Sequence, residues 1–361
     1  MEKRKKIVHV THTFYPVVGG IEKSIYEIAI RQQAKYDVTV LTSSKVPDDN
    51  YKMKVEKLRS IRLFNMPDLT IPLESSKVLK EADIVHYHSQ NSLFSIKLMM
   101  KGENVIFTLM AIDSLYNHPN FVIRLFSPLY SKITMNKVLS NSKKLLVKNT
   151  RDLRILKEKY NRDAFLVPEG VDDIFFTYPK SNRFIERIGD EYILYIGRLH
   201  KLKGVEVLLR AAKMLNSKIV FIGPGDINIY RKMAEKLDVD KKCVFLGYVD
   251  DKTKIEAIDS ASFIVIPSIS EYVEAFSITL SEAWSREKAV IATEVGSLRY
   301  RIINGVNGIL VPPNDPISLA QAANNLLNDR RLAEKMGKEG RKEVVTWDYV
   351  VELLDKIYWG A

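Results

Sequence analysis

Strand-length apolar runs alternate with segments of helical apolar spacing along nearly the whole of this 361-residue chain, and the alternation breaks once and restarts. The runs Ile7–Val10, Val38–Leu41, Ile61–Phe64, Ile84–His86, Val105–Leu109, Leu145–Val147 and Phe165–Val167 are short and β-branched or otherwise apolar, as buried strands are. Between many of them lie patterns such as Ile21-Ile25-Ile28-Ala29 and Leu153-Leu156-Tyr160. Alternating strands and helices predict an α/β chain with parallel sheets and helices on both faces. From about Asp173 to Asp190 the periodicity is lost, and Pro179, Ser181 and Asn182 mark the stretch as an inter-domain connection. The pattern then resumes with strands at Tyr192–Ile196, Ile219–Ile222, Cys243–Leu246, Phe263–Ile266, Ala289–Ala292 and Gly308–Val311. Two doubly wound parallel-sheet domains are therefore expected, over residues 1–175 and 190–345, and such sheets bind ligands beyond the carboxyl ends of their strands.

Composition narrows the class. Apolar residues at 46% and charged residues at 27% describe a soluble globular protein. No run of 18 uncharged apolar residues predicts a spanning helix. The basic start, Met1 to Lys6, runs straight into Ile7–Val10, which reads as a first strand and not a signal-peptide core. The single cysteine, Cys243, excludes an intrachain disulfide and suits a cytoplasmic location. A net charge of +11 points to negatively charged partners: nucleic acid, anionic lipid or phosphorylated ligands.

Several stretches carry chemistry. Gly19-Gly20-Ile21-Glu22 opens a helix after the first strand, which suits either an anion at the helix start or a tight turn. No G-x-G-x-x-G fingerprint accompanies it. His86 and His88, two apart, share one face of a strand. They suit a cleft wall or satisfied core histidines better than zinc, since no cysteine or acidic cluster completes a ligand set. Gly197-Arg198 closes the strand Tyr192–Ile196, and Lys203-Gly204 opens the next helix. Two cations at a strand-to-helix turn fit a pyrophosphate or make a solvated basic loop. Gly223 follows the next strand end. After Pro267-Ser268 come Glu274 and Glu282. Were both helical, they would stand about 12 Å apart along the axis, too far to share a proton. The segment between Asp113 and Asp152 holds no acidic residue and mixes Arg124, Lys132 and Lys137 with Phe121, Leu125, Phe126 and Leu129. It reads as a face for an anionic membrane, or as a buried face beside solvated lysines.

Taken in order, these pieces resemble the retaining glycosyltransferases of family four. The matching stretches are Gly19-Gly20-Ile21-Glu22, Val167–Asp172, Ile196–Leu199 with Lys203-Gly204, Pro267-Ser268, Glu274 with Glu282, and Gly305–Gly308. The resemblance implies the GT-B fold, two Rossmann-like domains facing a central cleft, with the last helix (346–361) crossing back onto the first. It implies transfer of a sugar from a nucleotide diphosphate, UDP- or GDP-linked, to a hydroxyl of a sugar, glycolipid or lipid-linked acceptor. The anomeric configuration would be retained and no metal or cofactor required. By position, Arg198 and Lys203 would neutralise the leaving diphosphate and, with Glu274, form the catalytic set. Glu282 would take the ribose, Glu274 the donor sugar, and the backbone from Phe276 through Ser277 and Ile278 to Thr279 would face the sugar and its phosphates. Gly197 and Gly223 would line the same donor site. Gly19, Gly20, His86, His88 and Met110 would line the acceptor side, where Gly20 also approaches the donor phosphates.

Four departures stand out. Met110-Ala111 occupies the place of the family's His-Gly, Ser277 that of a glycine, Glu169 that of an asparagine, and Ser297-Leu298-Arg299-Tyr300 that of Gly-x-Pro-Glu. Met110-Ala111 motivates a second reading, a catalytically impaired sugar-nucleotide binder or interaction subunit of the same fold. A third reading, a nucleic-acid binder, rests on charge alone with no accompanying motif, and no nucleic-acid partner is expected.

Overall fold

The computed structural model describes residues 4–17, 19–118 and 120–360. The first three residues of the basic start, Pro119 of the basic segment and the last residue of 346–361 lie outside the described residues. The chain divides into two compact units, Met1–Gly170 with Trp347–Ala361, and Val171–Thr346.

The first unit is built on a seven-stranded parallel sheet, in the order β3-β2-β1-β6-β7-β8-β9. Its strands are β1 (Lys6–Val10), β2 (Asp37–Ser43), β3 (Lys54–Leu58), β6 (Ile84–His88), β7 (Val105–Leu109), β8 (Lys144–Val147) and β9 (Phe165–Leu166). A separate antiparallel pair, β4 (Ser60–Arg62) and β5 (Thr70–Pro72), stands outside the sheet. The helices are α1 (Gly20–Gln32), α2 (Val78–Glu81), α3 (Leu93–Leu98), α4 (Phe121–Asn141) and α5 (Thr150–Tyr160). The last helix of the chain, α15 (Trp347–Trp359), packs on α1 in this unit. Five-residue strands such as β6 and β7 are buried along their whole length, as parallel strands covered on both faces must be.

The second unit holds six parallel strands in the order β12-β11-β10-β13-β14-β15. They are β10 (Tyr192–Ile196), β11 (Lys218–Ile222), β12 (Cys243–Gly247), β13 (Ile264–Ile266), β14 (Val290–Thr293) and β15 (Ile309–Val311). Its helices are α6 (Ile174–Thr177), α7 (Arg183–Ile188), α8 (Val205–Ala212), α9 (Ile227–Lys236), α10 (Asp251–Ser260), α11 (Ile278–Ser285), α12 (Leu298–Arg301), α13 (Pro316–Asn328) and α14 (Arg330–Arg341). Two apolar cores fill the two faces of the sheet, one around Leu208 and Phe221, the other around Leu194 and Trp284.

Two expectations are corrected. The segment 173–190 is not a free connection: Phe175 and Phe184 of its two short helices are buried in the second unit's core. Helices of four and six residues are too short to show a period. The run Ile61–Phe64 is a strand only as far as Arg62. It then turns, with Phe64 and Asn65 left-handed (φ 50° and 54°). Its apolar residues face out, Phe64 at 83% exposure, so the run marks surface and not core.

Candidate functional site

The carboxyl ends of β10 and β13 meet the start of α11 in the second unit, and there the sequence-picked residues come together. β10 ends in Gly197 and Arg198. The Tyr195 hydroxyl donates to the Arg198 carbonyl at 2.8 Å and braces the turn. Arg198 is exposed, and its side chain has no partner among the described residues. Gly223, at the end of β11, lies so close to the Gly197 carbonyl that a Cβ would collide with it. The next turn is bound as tightly. Gly204 is left-handed (φ 72°) and abuts the Pro267 carbonyl, leaving no room for a side chain.

Lys203 and Glu274, 71 residues apart, are joined. Lys203 Nζ lies 2.7 Å from Glu274 Oε1 and 3.2 Å from the Val273 carbonyl. Ser268 Oγ donates to the same Glu274 oxygen at 2.6 Å. Glu274 is 2% exposed, so these bonds compensate a carboxylate taken from water. Glu274 precedes α11, which begins at Ile278; the helical separation between the two glutamates does not apply. Glu282 lies within α11 and accepts from Lys254 Nζ of α10 at 2.8 Å. Burial works against the charge on Lys254, yet Glu282 and Asp251 outweigh it and hold its pKa above the ordinary value. Sequence reading missed Lys254, because nothing in the α10 pattern distinguishes it from a surface lysine.

Ser277 is the N-cap of α11, left-handed at φ 63°, ψ 82°. Phe276 is buried beside it. Thr279 Oγ1 donates to the Ile196 carbonyl at 3.3 Å and ties the first turn of α11 to the end of β10. The amides of Ile278 and Thr279 thus begin a helix next to Lys203 and Glu274, a place where an anion is favoured. The loop 294–301 grips the other side: Ser297 N donates to the Glu274 carbonyl at 2.7 Å, and Gly296 N to Glu271 Oε2 at 2.7 Å.

In the first unit the acceptor candidates lie on or after the adjacent strands β1, β6 and β7. Gly19 caps α1 in an extended conformation, and Gly20 is its first residue. Glu22 folds back over Gly19 and accepts from Thr13 Oγ1 at 2.5 Å. The start of α1 therefore already faces a carboxylate. Met110 is 9% exposed, and buried Gln90 clamps its backbone, accepting from Met110 N at 2.8 Å and donating to Met110 O at 3.0 Å. Ala111 is left-handed (φ 49°), so this loop keeps a conformation that glycine adopts freely.

His86 and His88 are corrected from acceptor-lining residues to interior ones, at 1% and 2% exposure. With His9 of β1 they bring three ring nitrogens within 4.8 Å of one another, a spacing a cation could use. All of these rings' nitrogens but His88 Nδ1 have a hydrogen-bond partner. His9 Nε2 pairs with Gln32 Oε1 at 2.8 Å and His9 Nδ1 with His88 Nε2 at 3.1 Å. His86 pairs with the Tyr358 hydroxyl and with Thr108 Oγ1, both at 2.6 Å. Burial lowers the His9 pKa from 6.5 to about 4 and holds His86 and His88 well below their ordinary value, with the Lys148 charge adding to the effect on the latter two. The cluster is a neutral hydrogen-bonded relay, the core-histidine alternative. Another buried pair sits nearby in the chain: Lys148 and Glu169, 3.3 Å apart and 5% and 7% exposed. Glu169, in the place of an asparagine, thus supplies a counter-charge.

Helix α4 presents Phe121, Val122, Leu125, Phe126, Leu129 and Ile133 to solvent, each 58–65% exposed. Spacings of three and four put them on one face. Among the described residues no helix is long and apolar enough to cross a membrane.

Comparison with known proteins bears on both units. Residues 180–343 match the family model described as "Glycosyl transferases group 1". The O-antigen chain mannosyltransferase C of Escherichia coli is 24% identical over 98% of each chain. Among solved structures, sucrose-phosphate synthase from Thermosynechococcus elongatus superposes with a TM-score of 0.78 at 19% identity, covering 98% of each chain. Anabaena HepE in complex with UDP gives a TM-score of 0.78 at 15% identity, covering 99% of this chain and all of that one. The fold is GT-B, the two-sheet α/β architecture of these glycosyltransferases.

Proposed function

We propose that this protein is a retaining glycosyltransferase that moves a hexosyl group from a UDP- or GDP-linked sugar to a hydroxyl of a sugar, glycolipid or lipid-linked acceptor. The observation that carries the reading is the junction of Lys203, Glu274 and the start of α11 at the end of the strand that leads to Arg198, whose side chain has no partner among the described residues. The match of residues 180–343 and the likeness to a UDP-bound structure support it. Departure of a nucleoside diphosphate develops negative charge, and pre-set cations and amides stabilise it most where water is excluded. Arg198 supplies a planar fork to the phosphates. Lys203 exchanges part of its bond to Glu274 for a phosphate oxygen, which frees Glu274 to accept from the donor sugar's hydroxyls. Glu282, held by Lys254, accepts from the ribose. The acceptor attacks on the face from which the diphosphate leaves, and that phosphate takes the proton, so no metal is required. This differs from the paired-carboxylate scheme of glycosidases.

The chain acts as a peripheral protein at an anionic membrane, through the exposed apolar face of α4 within a segment free of acidic residues. Co-sedimentation with anionic vesicles at low salt tests this, and failure to sediment counts against it.

Calorimetric titration with UDP and with GDP tests the donor site. Binding is expected to collapse in R198A and K203A, and undiminished binding in both overturns the assignment. The second reading, a binder without transferase activity, is favoured by Met110-Ala111. Donor hydrolysis and transfer at the buffer rate across a donor and acceptor panel, with nucleotide binding retained, would select it.

A further inference from the structure

Ser277 stands in a backbone region that costs a residue with a side chain free energy and that glycine enters freely. Its own hydroxyl makes no capping hydrogen bond that would hold it there. What holds it comes from another element. Arg301, the last residue of α12, donates from Nη1 to the carbonyls of Phe276 (2.7 Å) and Ser277 (3.1 Å). Nη2 donates to Ser281 Oγ at 2.7 Å. The guanidinium also lies over the Phe276 ring, 4.0 Å from its centroid.

These two carbonyls belong to the two peptide planes that flank the Ser277 Cα. Rotation about φ moves the first plane and rotation about ψ the second. A single planar group bonded to both fixes both angles. The second plane also carries the N–H of Ile278, the first amide of α11, so the same bond sets where that amide points. Arg301 is itself braced. Asn307 Nδ2 donates to the Arg301 carbonyl at 3.2 Å, Asn307 Oδ1 accepts from Ile303 N at 2.7 Å, and Trp284 Nε1 donates to the Asn307 carbonyl at 3.0 Å.

We infer that Arg301 is a positioning residue of the donor site: it clamps both peptide planes around Ser277, so that a serine holds the left-handed turn and the Ile278 amide stays aimed at the donor phosphates. The inference rests on the proposed donor site. It pairs two features of this chain, a serine where glycine would be unstrained and an arginine reaching across from the facing loop.

A double-mutant cycle of S277G and R301A in the full chain tests it, read by calorimetry with UDP and with GDP and by thermal unfolding. R301A is expected to weaken the better-bound nucleotide about tenfold, equivalent to ~1.4 kcal/mol. S277G/R301A is expected to recover most of that loss, because glycine takes the turn without a clamp. General loss of packing would not be repaired by removing a hydroxymethyl group. Unchanged affinity in folded R301A overturns the inference, as does a double variant that binds as weakly as R301A, which would make Arg301 a direct phosphate ligand. Should R301A fail to fold, the double variant is expected to fold and bind, and its failure overturns the clamp. If the unsubstituted protein binds neither nucleotide, the donor reading fails on its own. Melting temperatures then decide the clamp: coupling between the two substitutions supports it, and additivity overturns it.

Discussion

Both units wind helices around an all-parallel sheet, yet they place their polar groups in opposite ways. In the first, three histidines deep under α1 and α15 are kept neutral by burial, and Gln32, Thr108 and Tyr358 bond to His9 and His86. The apolar surplus shows on the outside, along α4. In the second, apolar residues fill both sheet faces, and charge is concentrated in pairs: Lys203–Glu274, Lys254–Glu282 and Arg286–Asp259. Lys148–Glu169, Arg151–Asp152 and Arg31–Glu27 are exceptions in the first unit. Strand ends with anchored cations suit a phosphorylated ligand, since the charges are in place before it arrives. A neutral interior with an exposed apolar helix suits a lipid surface.

The comparison breaks first if charge is not what holds the second unit. Arg286 bonds Asp259 through Nε and Nη2, at 2.8 and 2.6 Å, and also reaches the carbonyls of Phe175 and Tyr178. R286A is expected to cost about 3–5 kcal/mol in urea unfolding, because it strands a buried carboxylate. A loss below ~1 kcal/mol would show that packing alone suffices. Next in size, R198A and K203A are each expected to cut transfer by roughly 10²–10³-fold in steady-state assays. They should part company in thermal stability. K203A lowers the melting temperature by leaving buried Glu274 without its counter-charge, whereas R198A does not, since the Arg198 side chain is exposed and has no partner among the described residues.

The first unit's side of the comparison is sharpened by α4 and by acid. F126S/L129S is expected to weaken vesicle binding at least tenfold, given ~1.5–3 kcal/mol for burying each large apolar side chain. Equal co-sedimentation of the variant would remove α4 as the contact. The smallest and most selective effect is that of pH. His9 titrates at about 4 in the folded unit against 6.5 when exposed, and His86 and His88 are shifted the same way. The unfolded chain therefore binds more protons across that window, and folding stability falls as pH drops from 6.5 towards 4. The groups facing the relay are Lys148, Gln32, Thr108 and Tyr358, and the one charge among them, Lys148, disfavours protonation further. Hydrogen exchange should show β1 and β6 losing protection in that range before β10 and β13 do. Simultaneous loss in both units would mean the relay is not the acid-sensitive element.

Much of this was legible in the chain because parallel sheets write long apolar runs, and each strand end is followed by its loop. Glu274, Lys203 and the start of α11 could be named from order alone. Their bonding could not, since Lys203 and Glu274 stand 71 residues apart. Lys254 and Arg301 were invisible for the same reason: each acts on a residue two or three dozen positions away. His86 and His88 misled because a strand end reads alike whether its face is open or covered. Here the cover is Tyr358, from the far end of the sequence. β3, with the pattern Lys-Val-Glu-Lys-Leu, escaped notice as an edge strand carrying charge.

That last helix has a consequence in time. The second unit is spliced into the first, between Gly170 and Trp347. On the ribosome all of Val171–Thr346 is made before the residue that completes the first unit's relay. The part begun earliest is thus finished last: the His86 ring stays short of its Tyr358 partner until a whole later-born unit has been made.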